Sequence, residues 1–349
     1  MRSHIAGRTT RPPGRSGTFS FSFLGVLLLA TTVYAQAPQI TGFSPDRFTL
    51  TNSTAVGVSV QFDRAIDAGT INDQNLLIYG ERSGYHSGSY AYNSGTRTAT
   101  FTPSIAFEPG ERVTVILTQG ISSSTGTPLD VGFVWEFYVQ ASAGTAKFTL
   151  DSTYSTGKKP NFVAVADINN DSHLDIAVVN SNDDDVLTML NIGNGDFSEN
   201  ARPGAGTLPR AATLADFDKD GDLDMAVANE TDDTVTIFSN NGDGTFSVQE
   251  TLATGTSPVF VTHGDLNSDG FLDVVVVNKG TSRVAVYLND GAGSFDAPND
   301  FGGVQSPEMA FVADFDNTGS LDLVVTSTNN DKVALLLNDG TGSFGTPQT

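Results

Sequence analysis

An internal repeat of 49 residues runs through the second half of the chain and constrains its fold more than any other feature. Four Asp-rich segments start at residues 167, 216, 265 and 314, at intervals of 49 residues. Three further ladders keep the same interval: Phe148, Phe197, Phe246, Phe295 and Phe344; Pro160, Pro209, Pro258 and Pro307; Asn191, Asn240, Asn289 and Asn338. Self-similarity at a fixed period of this size is typical of repeat architectures. We therefore expect four copies of one supersecondary unit.

Each unit is predicted to be β throughout. In the third unit a strand at 259–262 enters the Asp-rich segment, a second at 272–277 leaves it, and a third covers 283–288. The turn at 289–295 then leads into a fourth strand. Four short strands in a unit of this length predict one blade of a β-propeller.

Two motifs recur in every unit: Asp-x-[Asp/Asn]-x-[Asp/Thr]-x-x-x-Asp before an apolar strand, and the turn Asn-x-Gly-x-Gly-x-Phe. Both resemble the FG-GAP/VCBS family of repeats, which is related to the blades of integrin alpha chains. The resemblance covers residues 148–349. It implies an all-β propeller whose blades bind calcium in a β-hairpin loop.

The spacing of oxygen-bearing side chains in these loops suits calcium, which takes six to eight hard oxygen ligands. Positions 1, 3, 5 and 9 are expected to offer side chains, and position 7 its backbone carbonyl. The candidate metal ligands are Asp167, Asn169, Asp171, His173, Asp175, Asp216, Asp218, Asp220, Asp222, Asp224, Asp265, Asn267, Asp269, Phe271, Asp273, Asp314, Asp316, Thr318, Ser320 and Asp322. We expect Ca²⁺ at about one ion per repeat, up to four.

The alternative is that these segments are turns that satisfy their own backbones without metal, as Asp and Asn commonly do. Four in-phase clusters of carboxylates, which repel one another unless a cation neutralises them, favour metal binding.

The four loops are not expected to bind equally. The second has four carboxylates at its side-chain positions and Gly221 at position 6, where a sharp turn favours a positive φ. The first has Ser172 at position 6, and the fourth has the neutral Thr318 at position 5. The second loop should therefore bind most tightly, and the first and fourth more weakly.

The region 38–140 is predicted to be a separate β-sandwich of the immunoglobulin-like class. Its strand-like segments include 56–62, 98–101 and 113–117. The segments 62–67, 96–103, 109–115 and 135–137 resemble bacterial SbsA-type Ig-like domains, and Trp135 is expected in the core. Residues 141–147 are interpreted as a short flexible linker to the repeats.

The first 35 residues are predicted to be a cleaved signal peptide. A basic segment precedes the apolar run 19–33, and Val33 and Ala35 place small residues at positions −3 and −1. An uncleaved anchor is the alternative, but 15 apolar residues are fewer than the roughly 20 that a spanning helix needs. The mature chain keeps 14 of the 18 basic residues and all 40 acidic ones, a net charge of −26. This charge argues against nucleic acid and anionic membranes as partners.

The chain has no cysteine, which excludes disulfides and thiolate chemistry. No catalytic motif is evident, so we expect a non-enzymatic protein that is secreted or at the cell surface, or in the periplasm. One function is adhesion or recognition of a protein ligand; the other is glycan binding, or an accessory role in polysaccharide degradation. Four blades leave two architectures open, a four-bladed closed propeller or an incomplete array, and the latter is favoured.

Overall fold

The computed structural model describes residues 36–141, 152–193 and 195–348. Apart from one 3-10 turn at Ala68–Thr70, its regular structure is β, as predicted. The predicted signal peptide and residues 142–147 of the predicted linker lie outside the described residues. Within the described ranges, no helix has the length and apolar character needed to span a bilayer.

The N-terminal region is a sandwich of two sheets. Its strands are β1 (Ile40–Ser44), β2 (Leu50–Thr51), β3 (Val58–Phe62), β4 (Leu76–Gly80), β5 (Gly84–Tyr85), β6 (Gly88–Asn93), β7 (Thr98–Pro103), β8 (Arg112–Leu117) and β9 (Phe133–Val139). One sheet has the order β1-β3-β7-β6 and the other β2-β9-β8-β4-β5. Side chains of both sheets, among them Phe62, Phe101 and Trp135, share one core. The Trp135 indole N–H donates to the Pro45 carbonyl at 3.0 Å, so its predicted core position is confirmed.

The repeats form four antiparallel sheets in chain order, one per unit. Their strands are β10 (Pro160–Ala166), β11 (Asp175–Asn180), β12 (Asp185–Asn191) and β13 (Phe197–Ala201); β14 (Pro209–Ala215), β15 (Asp224–Asn229), β16 (Thr234–Asn240) and β17 (Phe246–Ala253); β18 (Pro258–Gly264), β19 (Asp273–Asn278), β20 (Arg283–Tyr287) and β21 (Asn299–Gly302); β22 (Pro307–Ala313), β23 (Asp322–Ser327) and β24 (Lys332–Leu336). In the fourth unit, bridges pair Asn338 with Phe344 and Leu335 with Gln348 at the position of the fourth strand. The three strands predicted for the third unit correspond to β18, β19 and β20.

Successive sheets pack face to face because both faces of their middle strands are apolar. In β19, Val274 and Val276 join the core shared with the second sheet, whereas Val275 and Val277 join the core shared with the fourth. Side chains of a strand point alternately to opposite faces, so a continuous apolar run fills two cores.

The two end faces of the array remain exposed. Val163 and Val165 of β10 are 54% and 44% exposed, whereas Ala212 and Leu214, one repeat later, are buried. At the other end Phe311 of β22 is 50% exposed and lies under the Arg112 guanidinium, 5.0 Å from the ring centroid. Among the described residues, the apolar core that joins successive sheets is thus not repeated between the fourth sheet and the first. The four first strands nonetheless line a common central cavity of about 400 Å³.

The Ig-like sandwich packs directly on the repeats through its second sheet. Leu77, Ile116 and Val134 are buried in the core shared by the third and fourth units, and Tyr79 is buried in the core of the second and third. This packing brings the sandwich onto the end of the array where the Asp-rich loops lie.

Candidate metal centres

Each Asp-rich loop connects the first strand of a sheet to the second, and its tight path needs two left-handed residues. These are Asn170, Lys219, Ser268 and Asn317 at position 4 and Ser172, Gly221, Gly270 and Gly319 at position 6, with φ between 57° and 98° in every case. The positive φ expected at position 6 is confirmed. A non-glycine residue in this region costs roughly 1–2 kcal/mol, so Ser172 strains the first loop.

The buried aspartate at position 9 ties each loop to the Asn-x-Gly-x-Gly-x-Phe turn of the same unit. In the third unit one carboxylate oxygen of Asp273 accepts the Leu266 N–H at 2.8 Å, and the other accepts the Asn289 N–H at 2.9 Å. The equivalent pair of bonds is made by Asp175, Asp224 and Asp322. The two sequence motifs therefore recur together because they form one hydrogen-bonded unit.

The second loop brings three carboxylates together around a buried, unsatisfied oxygen. Oxygen atoms of Asp216, Asp218 and Asp224 lie within 4.8 Å of one another. Burial, together with the neighbouring carboxylates, raises the pKa of Asp216 and of Asp224 to about 7. Oδ1 of Asp216 is buried and accepts no hydrogen bond. A buried anion without a donor is costly unless a cation pairs with it, so this donor set fits a hard divalent cation.

In the first and third loops an amide separates the carboxylates. The Asn169 amide N–H donates to Asp171 at 3.0 Å, and the Asn267 amide donates to Asp269 at 2.8 Å. Within the described ranges, oxygens of three carboxylates lie within 4.8 Å of one another in the second and fourth loops, but not in the first or third. Burial and the nearby Asp269 raise the pKa of Asp265 to about 7.

At position 7 the side chains make other contacts. The Asp222 carboxylate accepts the Asn170 amide N–H of the first loop at 2.6 Å, His173 Nδ1 lies 2.9 Å from Asp171, and the Phe271 ring lies 4.0 Å from the Lys219 ammonium. The expected use of the position-7 carbonyls as ligands, Ser320 included, stays a prediction.

The fourth loop contains a cation from the Ig-like domain. Oxygens of Asp314, Asp316 and Asp322 lie within 4.8 Å of one another, but Asp314 also forms an ion pair with the guanidinium of Arg47. The same guanidinium donates to Asn317 at 3.1 Å. The sequence reasoning missed Arg47, because nothing in its local pattern connects it to a loop more than 260 residues away.

The turn asparagines hold adjacent blades together. The Asn289 amide donates to the Leu272 carbonyl of its own unit at 3.0 Å and to the Phe217 carbonyl of the preceding unit at 2.7 Å. Asn240 and Asn338 repeat this pair of bonds. The sequence showed that these asparagines recur every 49 residues, but it did not show that they connect adjacent blades.

The Ig-like domain contacts the Asp-rich loops at several points. The Tyr85 hydroxyl donates to the Gly270 carbonyl at 2.8 Å, the Val134 N–H donates to the Gly319 carbonyl at 2.7 Å, and the Asp167 N–H donates to the Arg82 carbonyl at 3.1 Å. Beside these contacts, a cleft of about 1070 Å³ lies between the sandwich and the second and third loops.

One Ser–His–Glu grouping is present, but its order is not that of a hydrolase triad. Ser83 Oγ lies 2.8 Å from His86 Nε2 and donates to Glu111 at 2.9 Å. In a catalytic triad the carboxylate holds the imidazole, not the serine. This arrangement therefore gives no support to nucleophilic catalysis.

A sandwich followed by four antiparallel sheets, with an Asp-rich hairpin loop in each repeat, defines a two-part all-β repeat protein. The FG-GAP-like repeat family matches residues 167–227, 216–276 and 265–325, and the bacterial Ig-like domain family matches residues 35–139. The chain is thus a bacterial Ig-like domain joined to FG-GAP-like repeats, and the resemblance stated from the sequence is confirmed. No curated protein matches the sequence.

Several solved structures are distantly similar. An Agrocybe aegerita lectin that recognises non-reducing terminal N-acetylglucosamine is 23% identical, with 81% of this chain and 78% of that chain covered and a TM-score of 0.38. A putative 6-phosphogluconolactonase from Bacteroides uniformis is 16% identical, with 88% and 94% covered and a TM-score of 0.43. CopC from Methylosinus trichosporium is 15% identical, with 31% and 97% covered and a TM-score of 0.24. Because these TM-scores are low, the likenesses carry no argument about this chain.

Proposed function

We propose that this chain is an exported, non-catalytic recognition protein of the cell surface, in which the Asp-rich loops bind calcium as a structural ion. The observation that carries the proposal is the second loop, where a buried Asp216 oxygen without a hydrogen-bond donor lies among three converging carboxylates. Calcium supplies the missing positive charge and ties the loop oxygens to one point.

The role of the ion follows from its place between rigid elements. Position 9 of each loop begins the second strand of its sheet, and position 1 follows the first strand. A cation held by both positions therefore fixes the hairpin, and through the buried turn asparagine it also fixes the contact with the neighbouring blade. In a chain without cysteine, such ions take the place of disulfide staples.

A calcium titration of the metal-free mature chain, residues 36–349, tests this proposal. A ligand that binds only the folded state raises the unfolding midpoint as its concentration rises. The free energy of unfolding increases by about 2.7 kcal/mol for each site at a hundred times the dissociation constant. We expect a progressive rise, reduced in Asp216→Asn and unchanged in Asp130→Asn, an exposed carboxylate of the Ig-like domain. If the midpoint does not move and no ion binds, the proposal is wrong.

For recognition, the proposed ligand is a protein at the cell surface. The support is the architecture, a bacterial Ig-like domain packed on FG-GAP-like repeats, and the mature charge of −26, which disfavours nucleic acid and anionic lipid. Adhesion of cells to surfaces coated with the purified mature chain, with and without calcium, measures this activity.

A glycan is the alternative ligand, and the cleft beside the second and third loops is the observation that favours it. Tyr90, Gln74 and Gln119 line it on the Ig-like side and Asp220 and Asp269 on the loop side. Aromatic rings and planar amides are the side chains that sugars contact. Binding to an immobilised glycan panel that is lost in Gln74→Ala, but retained in Gln140→Ala outside the cleft, would favour this alternative over a protein ligand.

A further inference from the structure

Arg47 contacts the fourth loop at its position-1 carboxylate, which is one member of the three-carboxylate cluster of that loop. It belongs to the segment between β1 and β2 of the Ig-like domain, and its guanidinium bonds both Asp314 at position 1 and Asn317 at position 4. The Arg47 side chain is 11% exposed and that of Asp314 is 2% exposed, so the ion pair is buried.

The position-1 carboxylate is satisfied in the fourth loop and unsatisfied in the second. Oδ1 of Asp314 accepts the Thr318 N–H at 3.1 Å, and Oδ2 accepts the Gly319 N–H at 2.9 Å in addition to Arg47. Oδ1 of Asp216 has no donor at all. Among the described residues, Asp314 is the one position-1 aspartate with an ion pair to a basic side chain.

The guanidinium is also held from the Ig-like side. It lies 5.6 Å from the centroid of the Phe43 ring and 5.1 Å from that of Phe133. If a calcium ion took Asp314, this cation would stay buried between two aromatic rings without its carboxylate partner, which is strongly unfavourable. At position 5 the loop has the neutral Thr318, so a fourth carboxylate to attract a divalent ion is missing.

Resting on the proposed calcium function, we propose that Arg47 is the resident cation of the fourth loop and excludes calcium from it. The Ig-like domain is thereby joined to the fourth blade by an ion pair at the position that a metal holds in the second loop. The folded chain binds calcium through its other loops, and the fourth acts as a docking point between domains.

Counting bound ions tests this assignment. The variant Arg47→Met removes the charge of the guanidinium but keeps an unbranched side chain like the stem of arginine. The mature wild-type chain and this variant are dialysed against calcium and analysed for metal per chain. We expect Arg47→Met to bind one ion more than the wild type. Arg64→Met, which removes a guanidinium paired with Asp63 away from all four loops, leaves the count unchanged.

A second variant keeps the test decisive if Arg47→Met does not fold. Asp314→Asn is expected to leave the wild-type ion count unchanged, whereas Asp216→Asn lowers it by one. A loss of one ion in Asp314→Asn would overturn the assignment. If neither the wild type nor any variant binds calcium, it is the proposed calcium function that fails.

Discussion

At the scale of single residues, the glycines at position 6 of the loops experience different surroundings. Gly221 and Gly319 share a left-handed backbone, with φ of 98° and 94°. A Cβ added at Gly221 would meet no atom within 4 Å, whereas one at Gly319 would lie 2.4 Å from Cδ2 of Phe133 in the Ig-like domain. Glycine is thus required at Gly221 by the backbone conformation alone. At Gly319 it is required both by the backbone conformation and by the contact with the Ig-like domain.

We therefore predict unequal effects of two identical substitutions. Gly221→Ala should lower the free energy of unfolding by about 1 kcal/mol, the cost of a left-handed alanine. Gly319→Ala adds overpacking against Phe133 and should lower it by roughly 2–4 kcal/mol. Urea unfolding at saturating calcium measures both; equal losses would mean that Phe133 moves aside without cost.

Glu136 is a buried carboxyl at the same interface and should make stability depend on pH. Its burial, only partly offset by Arg112 at 3.3 Å, raises the pKa of Glu136 from 4.5 to about 7. The folded state then binds a proton more tightly than the unfolded state, so the free energy of unfolding falls as pH rises from about 4.5 to 7.

Glu136→Gln removes this titration. We expect a flatter dependence of unfolding free energy on pH between 5 and 8, and a gain at pH 8 of up to about 3 kcal/mol, since one pKa unit corresponds to 1.36 kcal/mol. Arg112 keeps its contact with Glu81 at 3.2 Å in this variant. Asp130→Asn, at an exposed carboxyl of the same domain, serves as the control. Parallel curves for Glu136→Gln and wild type would show that Glu136 does not titrate in this range.

At the scale of structural elements, the blades are joined by apolar seams and by the turn asparagines. The bond from Asn240, Asn289 or Asn338 to the preceding blade spans 72 residues each time. Asn191 of the first blade bonds the Leu174 carbonyl of its own unit at 3.2 Å, and among the described residues no repeat sheet comes before that blade. The same residue type therefore has an interblade role in three units and a local one in the first.

Asn289→Ala should destabilise the protein more than Asn191→Ala. The first change leaves the buried Phe217 and Leu272 carbonyls without their amide donor, at about 1–3 kcal/mol for each unsatisfied group. In the second, the amide loses only one donation, at 3.2 Å and at a half-buried position, and the change should cost about 1 kcal/mol. Both variants also lose turn bonds that the side-chain oxygen accepts, so these bonds do not separate them. Thermal unfolding of the two variants in calcium compares them directly, and equal midpoints would remove the interblade role.

At the scale of the whole molecule, the Ig-like domain is an integral part of the array's loop-bearing end. It buries apolar side chains in the cores of three repeats and supplies Arg47 and Tyr85 to the loops. The Asp-rich loops, the domain interface and the adjoining cleft form one continuous region. A ligand bound in the cleft would contact both halves of the protein.

Export is the remaining prediction at this scale. Expressed in a bacterial host with its first 35 residues, the protein should leave the cytoplasm and begin at Gln36, which intact-mass measurement detects. Ala35→Asp at position −1 should retain the precursor. Tyr34→Asp, at the tolerant position −2, should be processed normally. A wild-type product that keeps residues 1–35 in the membrane fraction would instead indicate an anchor.

The amino-acid sequence by itself determined the repeat, the strands within it and the composition of each loop. These follow from local chemistry: short apolar runs bounded by turn residues form strands, Gly and Asn permit left-handed turns, and a repeated period copies both. It also indicated that the second loop differs from the others, since all four of its side-chain positions 1, 3, 5 and 9 are carboxylates. Trp135 was placed correctly because a large apolar side chain in a short strand has few alternatives to the core.

Only the tertiary structure decided which groups meet across these units. Arg47 and Asn317 are 270 positions apart, and no periodic or local signal connects them. Their contact exists because the second Ig-like sheet packs on the loops, a packing set by Leu77, Ile116 and Val134 jointly with residues of two blades. Local patterns determine elements, but burial of surfaces far apart in the chain determines which Asp-rich loop receives a side-chain cation from the Ig-like domain.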